Sequence, residues 1–154
     1  MGGSTVSEGV VTDSGSDSRP LVGGGTGREI EDAVEIRLPA ESAYLSVLRT
    51  ATAGLAARLD FTLDEIEDLR IAVDEACAML MPYAVDTAAM VCRFELLPDT
   101  LEIMVTIPTT RGQLPERDTF SWTVLSALAG EVDCGLGEDR EVWIRLRKRR
   151  GGHA

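Results

Sequence analysis

Apolar and polar positions alternate along this chain with two different periods. Val34, Ile36 and Leu38 interleave with Glu35 and Arg37, the period of a half-buried strand that stops at Pro39. From Ser42, placed to be an N-cap, Leu45, Leu48, Leu55 and Leu59 recur at helical spacing over about seventeen residues. A second helix opens on a capping box, Thr62 with Glu65, and Asp64 adds negative charge at its positive end. Leu63, Ile66, Leu69, Ile71, Val73, Ala76, Cys77 and Leu80 form its apolar stripe, and Pro82 ends or kinks it. Beyond Ala88 the period returns to two. Met90, Cys92, Phe94 and Leu96 lead through the turn Pro98-Asp99 into Leu101, Ile103, Val105 and Ile107, the pattern of an antiparallel hairpin. Residues 108–119 read as a loop, after which Thr119 or Asp118 caps a short helix to about Leu128. Val132 to Cys134 and Val142 to Leu146 make a last strand pair around Gly135 and Gly137. The order β, α, α, β, β, α, β, β predicts an α+β two-layer sandwich, a mixed and mostly antiparallel sheet with helices on one face.

Composition narrows the boundaries. Residues 1–30 hold eight of the fifteen glycines and almost no large apolar side chains, so they are expected to be disordered. Residues 31–148 are expected to form the domain and 149–154 a basic, glycine-containing tail. The chain is 44% hydrophobic but only 5% aromatic, which predicts a core of aliphatic side chains. His153 is the one histidine, so no internal imidazole is available as base or metal ligand. Cys77, Cys92 and Cys134 are odd in number, widely spaced and set among apolar residues, which reads as buried reduced thiols and a cytoplasmic protein. No apolar run reaches the length of a membrane span.

Charge is placed unevenly. Arg145, Arg147, Lys148, Arg149 and Arg150 supply five of the fifteen basic groups, so the first 144 residues set ten basic groups against all 26 acidic ones. Such a body repels nucleic-acid phosphates and favours a protein partner with a basic face.

The sharpest local string is Glu67-Asp68-Leu69-Arg70-Ile71-Ala72-Val73-Asp74-Glu75-Ala76-Cys77. With Leu38-Pro39-Ala40 and Tyr44-Leu45-Ser46-Val47-Leu48-Arg49, it resembles the anti-sigma factors of the serine-protein kinase type, in the ATPase superfamily of histidine kinases, Hsp90 and gyrase. The resemblance covers about residues 34–147 and implies the Bergerat, histidine kinase-like fold. In that family a glutamate acts as general base toward a serine hydroxyl, and an asparagine one helical turn later holds magnesium. Glu75 matches the base. Met79 stands at the asparagine position, and a thioether is a poor ligand for a hard ion that takes oxygen.

The family's first glycine box, with its adenine-reading Asp, falls here on Ile107-Pro108-Thr109-Thr110-Arg111-Gly112, which has no acid. At the second glycine box stand Thr119, Phe120 and Ser121, where side chains keep backbone amides from approaching phosphate, and Phe120 and Trp122 are expected to crowd the lid. The Phe-Ser-Trp-x-Val-Leu variant resembles an actinobacterial subgroup of stress and developmental anti-sigma factors. The resemblance therefore implies a protein that sequesters an RNA polymerase sigma factor and releases it to an anti-anti-sigma (STAS-domain) protein. It implies no metal, no cofactor and no direct contact with nucleic acid or membrane, and a family habit of homodimerising. The alternative is an active kinase using ATP and magnesium. Arg49 matches the first-helix arginine that contacts both partners in the family, with Tyr44 and Leu45 beside it. Its other reading is a surface salt bridge to an acid such as Glu41.

Overall fold

The computed structural model describes residues 32–151. The expected disorder of residues 1–30 and the position of His153 lie outside the described residues. Five strands, β1 (Asp32–Pro39), β2 (Ala89–Leu96), β3 (Thr100–Pro108), β4 (Glu131–Gly137) and β5 (Glu141–Arg149), form one sheet in the order β1-β2-β3-β5-β4. Every described pairing is antiparallel, so the sheet is not mixed. Three helices, α1 (Leu45–Arg58), α2 (Leu63–Leu80) and α3 (Phe120–Ala129), cover one face. The two-layer α+β architecture expected from the element order is the one found.

The period-two pattern sets which side of each strand is buried. Met90, Cys92 and Phe94 of β2, Leu101, Ile103, Val105 and Ile107 of β3, and Val142, Ile144 and Leu146 of β5 are fully buried. They meet Leu48 and Ala56 of α1, Leu69, Val73, Ala76 and Leu80 of α2, and Leu125 of α3 in a single core. α2 lies between α1 and α3 and packs against both. Its capping box is present as read: Thr62 Oγ1 accepts from Glu65 N at 3.1 Å, and Glu65 Oε1 accepts from Thr62 N at 2.8 Å. Pro82 stops the α-helix at Leu80, and a 3₁₀ turn, Met81–Tyr83, follows. Thr119 caps α3 by accepting from Trp122 N, and Gly130, at φ 87°, closes its far end in a backbone region that L side chains rarely adopt.

Ser42 does not cap α1. The chain leaves β1 through a 3₁₀ turn, Ser42–Tyr44, whose N–H groups are satisfied by backbone carbonyls: Tyr44 N donates to Glu41 O and Leu45 N to Ser42 O. No side chain is needed as an acceptor, and α1 starts at Leu45 rather than just after Ser42.

The open face of the sheet is polar and cross-linked by ions. Arg145 meets Asp133 at 3.3 Å, Arg147 meets Glu102 at 3.0 Å, and Arg149 meets Asp99 at 3.3 Å. On the helix side Lys148 Nζ donates to Leu128 O at 3.0 Å, and Arg150 Nη1 donates to Leu59 O at 2.9 Å. Of the residues expected as a tail, Arg149 belongs to the last strand, and Arg150 and Gly151 continue it as a turn. β5 extends to Arg149, and Gly151 N donates to Glu65 Oε2 at 2.7 Å, tying the strand's exit to the start of α2. Trp143 lies against the backbone of Gly135, where a Cβ would sit 2.7 Å from Trp143 Cε2, so only glycine fits beneath the ring. Among the described residues no helix is long and apolar enough to cross a membrane.

Candidate functional site

α1 and α2 run side by side, which brings Arg49 to Asp74 although 25 residues separate them. Arg49 Nη1 lies 3.0 Å from both Asp74 Oδ1 and Oδ2. The salt bridge considered for Arg49 therefore exists, but with Asp74 in place of Glu41. Tyr44 and Val47, 41% and 47% exposed, stand on the same first helix and the turn before it. Leu45, the third residue expected at the partner contact, faces inward and belongs to the core, 8% exposed.

At the C-terminal half of α2, Glu75 and Met79 share a helix face by their spacing of four. Glu75 is half-buried and makes no hydrogen bond or ion pair among the described residues. Beyond Met79 a cavity of about 210 Å³ is lined by Met79, Tyr83, Pro115, Glu116, Thr119 and Ser121. This is where the sequence placed the magnesium and second glycine-box positions, and the fold does bring Met79, Thr119 and Ser121 together. Phe120 does not crowd the cavity, being 83% exposed at the first turn of α3, while Trp122 is buried beneath the Arg117 guanidinium at 4.8 Å.

Sequence reading missed Tyr83 and Pro115. Tyr83 donates to Leu114 O at 3.4 Å, and Arg111 stacks on its ring at 5.0 Å, so the 108–118 loop is drawn onto the end of α2. The signal was present in Met81-Pro82-Tyr83, where a proline stop puts an aromatic at the groove mouth. Ligand pockets run to about 300–1,000 Å³, larger than this groove. Magnesium needs oxygen donors, and the helix-face position offers sulfur; among the described residues no cluster of three His, Cys, Asp or Glu side chains could hold a metal ion. Met79 thus offers no oxygen at the position where the family's magnesium ligand stands.

The three thiols are buried and unpaired. Burial pushes Cys77 up to about 12, with Asp74 adding to the effect, and pushes Cys92 well above its ordinary value. They are packing groups rather than nucleophiles.

No family profile matches the chain. Among individual proteins, the serine-protein kinase RsbW of Halalkalibacterium halodurans is 39% identical over 90 residues, 58% of this chain and 54% of that protein. The protein of the same name from Bacillus cereus strain Q1 is 38% identical over 76 residues, 48% of each. This chain is similar to serine-protein kinase RsbW. It spans about half the length of the RsbW relatives it matches. The crystal structure of the RsbU and RsbW domains of Rv1364c from Mycobacterium tuberculosis superposes with a TM-score of 0.57 at 18% identity, covering 77% of this chain and 32% of that one. That likeness concerns the fold, and it agrees with the histidine kinase-like architecture expected from the resemblance to anti-sigma factors of the serine-protein kinase type.

Proposed function

We propose that this chain is an anti-sigma factor that binds and sequesters an alternative RNA polymerase sigma factor and yields it to an anti-anti-sigma protein by partner switching, without efficient kinase activity. The observation that carries the reading is a contrast within one region, the start of α1 and the C-terminal half of α2. There Arg49 keeps an oriented, partly solvent-facing guanidinium on Asp74, while Met79, five residues further along α2, stands with a tyrosine and a closed loop in place of phosphate-binding groups. A surface rich in carboxylates on α2, with Asp64, Glu67 and Asp68, suits the basic segments of a sigma factor. Phosphoryl transfer depends on positioning plus metal-assisted charge stabilisation, and Glu75 alone supplies neither.

A calorimetric titration against the host's purified alternative sigma factors tests the proposal. Saturable binding to one of them is expected, and heats of dilution with all of them would refute it. Active kinase chemistry is the second reading, supported by the retained Glu75 and by relatives named as kinases. Millimolar Mg-ATP should leave the melting temperature unchanged, because a ligand stabilises only as RT ln(1 + [L]/Kd). A clear rise, with phosphate transfer to the anti-anti-sigma protein that disappears in Glu75→Ala, would establish the kinase instead.

A further inference from the structure

Resting on the anti-sigma reading, we infer that Asp74 is a positioning residue: it holds the Arg49 guanidinium by one nitrogen and so presents the rest of the fork to a hydrogen-bond acceptor, a carboxylate or carbonyl, on the sigma factor. Both carboxylate oxygens of Asp74 converge on Nη1, each at 3.0 Å. Nε and Nη2 make no hydrogen bond among the described residues, so a planar group with five donors uses only one edge inside the molecule. The pair is about one-third exposed, 36% and 37%, which leaves the free edge reachable. α1 carries no acidic residue, so no carboxylate of its own helix competes for Arg49. The other charges near Asp74 on α2 are Glu75, adjacent in sequence, and Arg70 one turn earlier, which is engaged by Glu67 at 3.2 Å.

Such a half-exposed pair adds little to folding stability. Its effect is on association: an arginine already held in one orientation loses less side-chain freedom when the partner arrives. The geometry also separates arginine from lysine. A lysine could reach Asp74 or the partner as a point charge, but it lacks the second edge of the fork.

The test is titration of the full chain with the sigma factor that binds it, comparing wild type with Asp74→Asn, Arg49→Lys, Arg49→Ala and the double variant Asp74→Asn/Arg49→Ala. Asp74→Asn should weaken binding about three- to ten-fold, the range expected for releasing one pre-ordered side chain. Arg49→Lys and Arg49→Ala should weaken it by about ten-fold or more. In the double variant the Asp74 change should add nothing, because its effect passes through Arg49. Thermal melting of each variant, expected within about 2 °C of wild type, separates this from loss of structure. Unchanged affinity in Asp74→Asn while Arg49→Ala loses binding would overturn the inference. So would an equal loss from Asp74→Asn in the Arg49→Ala background. Failure of the wild type to bind any alternative sigma factor would remove the anti-sigma reading, and this inference with it.

Discussion

Replacing Glu65 by Ala removes two hydrogen bonds, one within the cap of α2 and one that joins that cap to the distant exit of β5. Oε1 accepts from Thr62 N at 2.8 Å and closes the capping box of α2; Oε2 accepts from Gly151 N at 2.7 Å and fastens the exit of β5. Hydrogen bonds to a charged group contribute about 1.5–3 kcal/mol each, and a carboxylate in the first turn adds about 0.3–1 kcal/mol through the helix dipole. Two effects offset this gross sum. The carboxylate is only 8% exposed, so folding has already taken it out of water, and Thr62 and Gly151 are themselves exposed, so water can replace the lost acceptor. A net loss of about 2–3 kcal/mol remains, which for a domain of this size lowers the melting temperature by roughly 6–12 °C. Glu65→Gln keeps one acceptor oxygen and should lose about half as much.

The same carboxyl fixes a pH signature. Burial alone would raise it, but the N–H groups of Thr62 and Gly151 with the Thr62 hydroxyl and nearby Lys148 outweigh burial, so it titrates below its ordinary 4.5 in the folded state. A depressed carboxyl stabilises the fold above the unfolded value and ceases to do so as pH falls through the folded one. The stability gap between wild type and Glu65→Gln should therefore be constant at neutral pH and narrow only below about 4.5. Differential scanning calorimetry at several pH values measures both quantities. A Glu65→Ala protein that melts within about 2 °C of wild type at pH 7 would refute the accounting, since it would mean that burial cancels both bonds.

Ending the chain after Arg149 should reproduce part of this loss, because it removes the Arg150 bonds to Asp99 O and Leu59 O together with the Gly151 bond, a drop of about 1–3 kcal/mol readable by urea denaturation. Gly135→Ala should cost about 1–2 kcal/mol, since its Cβ displaces the Trp143 ring, and should shift tryptophan fluorescence toward the exposed range; an unchanged spectrum would show that the ring does not rest on that glycine. Native protein should not react with a thiol reagent at pH 8, all three cysteines reacting only after unfolding, and rapid labelling of Cys77 in the native state would contradict its burial.

The parts of this fold readable from sequence are those decided within a few residues. Thr62 with Glu65, Thr119 before α3 and Pro82 after α2 each act within about one turn, and all three stand where they were read. Strand faces were readable because one apolar residue in two must point at the helices. What escaped was decided across longer distances. The reach of β5 past Leu146 depends on Glu102 and Asp99, more than forty residues away, which turn a run of cations into a strand face. Glu41 was the acid read as a mate for Arg49; that Asp74 takes that place depends on how α1 and α2 lie together. Ser42 looked like a cap by residue type, but the backbone carbonyls of a 3₁₀ turn had taken that role. At the candidate site the replaced positions, Met79 and Thr119-Phe120-Ser121, were visible in one dimension; that Tyr83 and Pro115 close the space between them was not.

Pairing along β5 also changes what the molecule offers to ions. Read along the chain, the charges are so segregated that the last strand looks like a cationic handle on an anionic body, with a large dipole between them. Folding threads that handle through the carboxylates of the strands and helices beside it, so the dipole is largely cancelled within the sheet. A polyanion approaching β5 would have to displace an internal carboxylate for each paired guanidinium it engaged, which offsets the gain from releasing the polyanion's own counterions. Salt should act on this strand through the fold, loosening the cross-links of the open face, rather than through any bound partner.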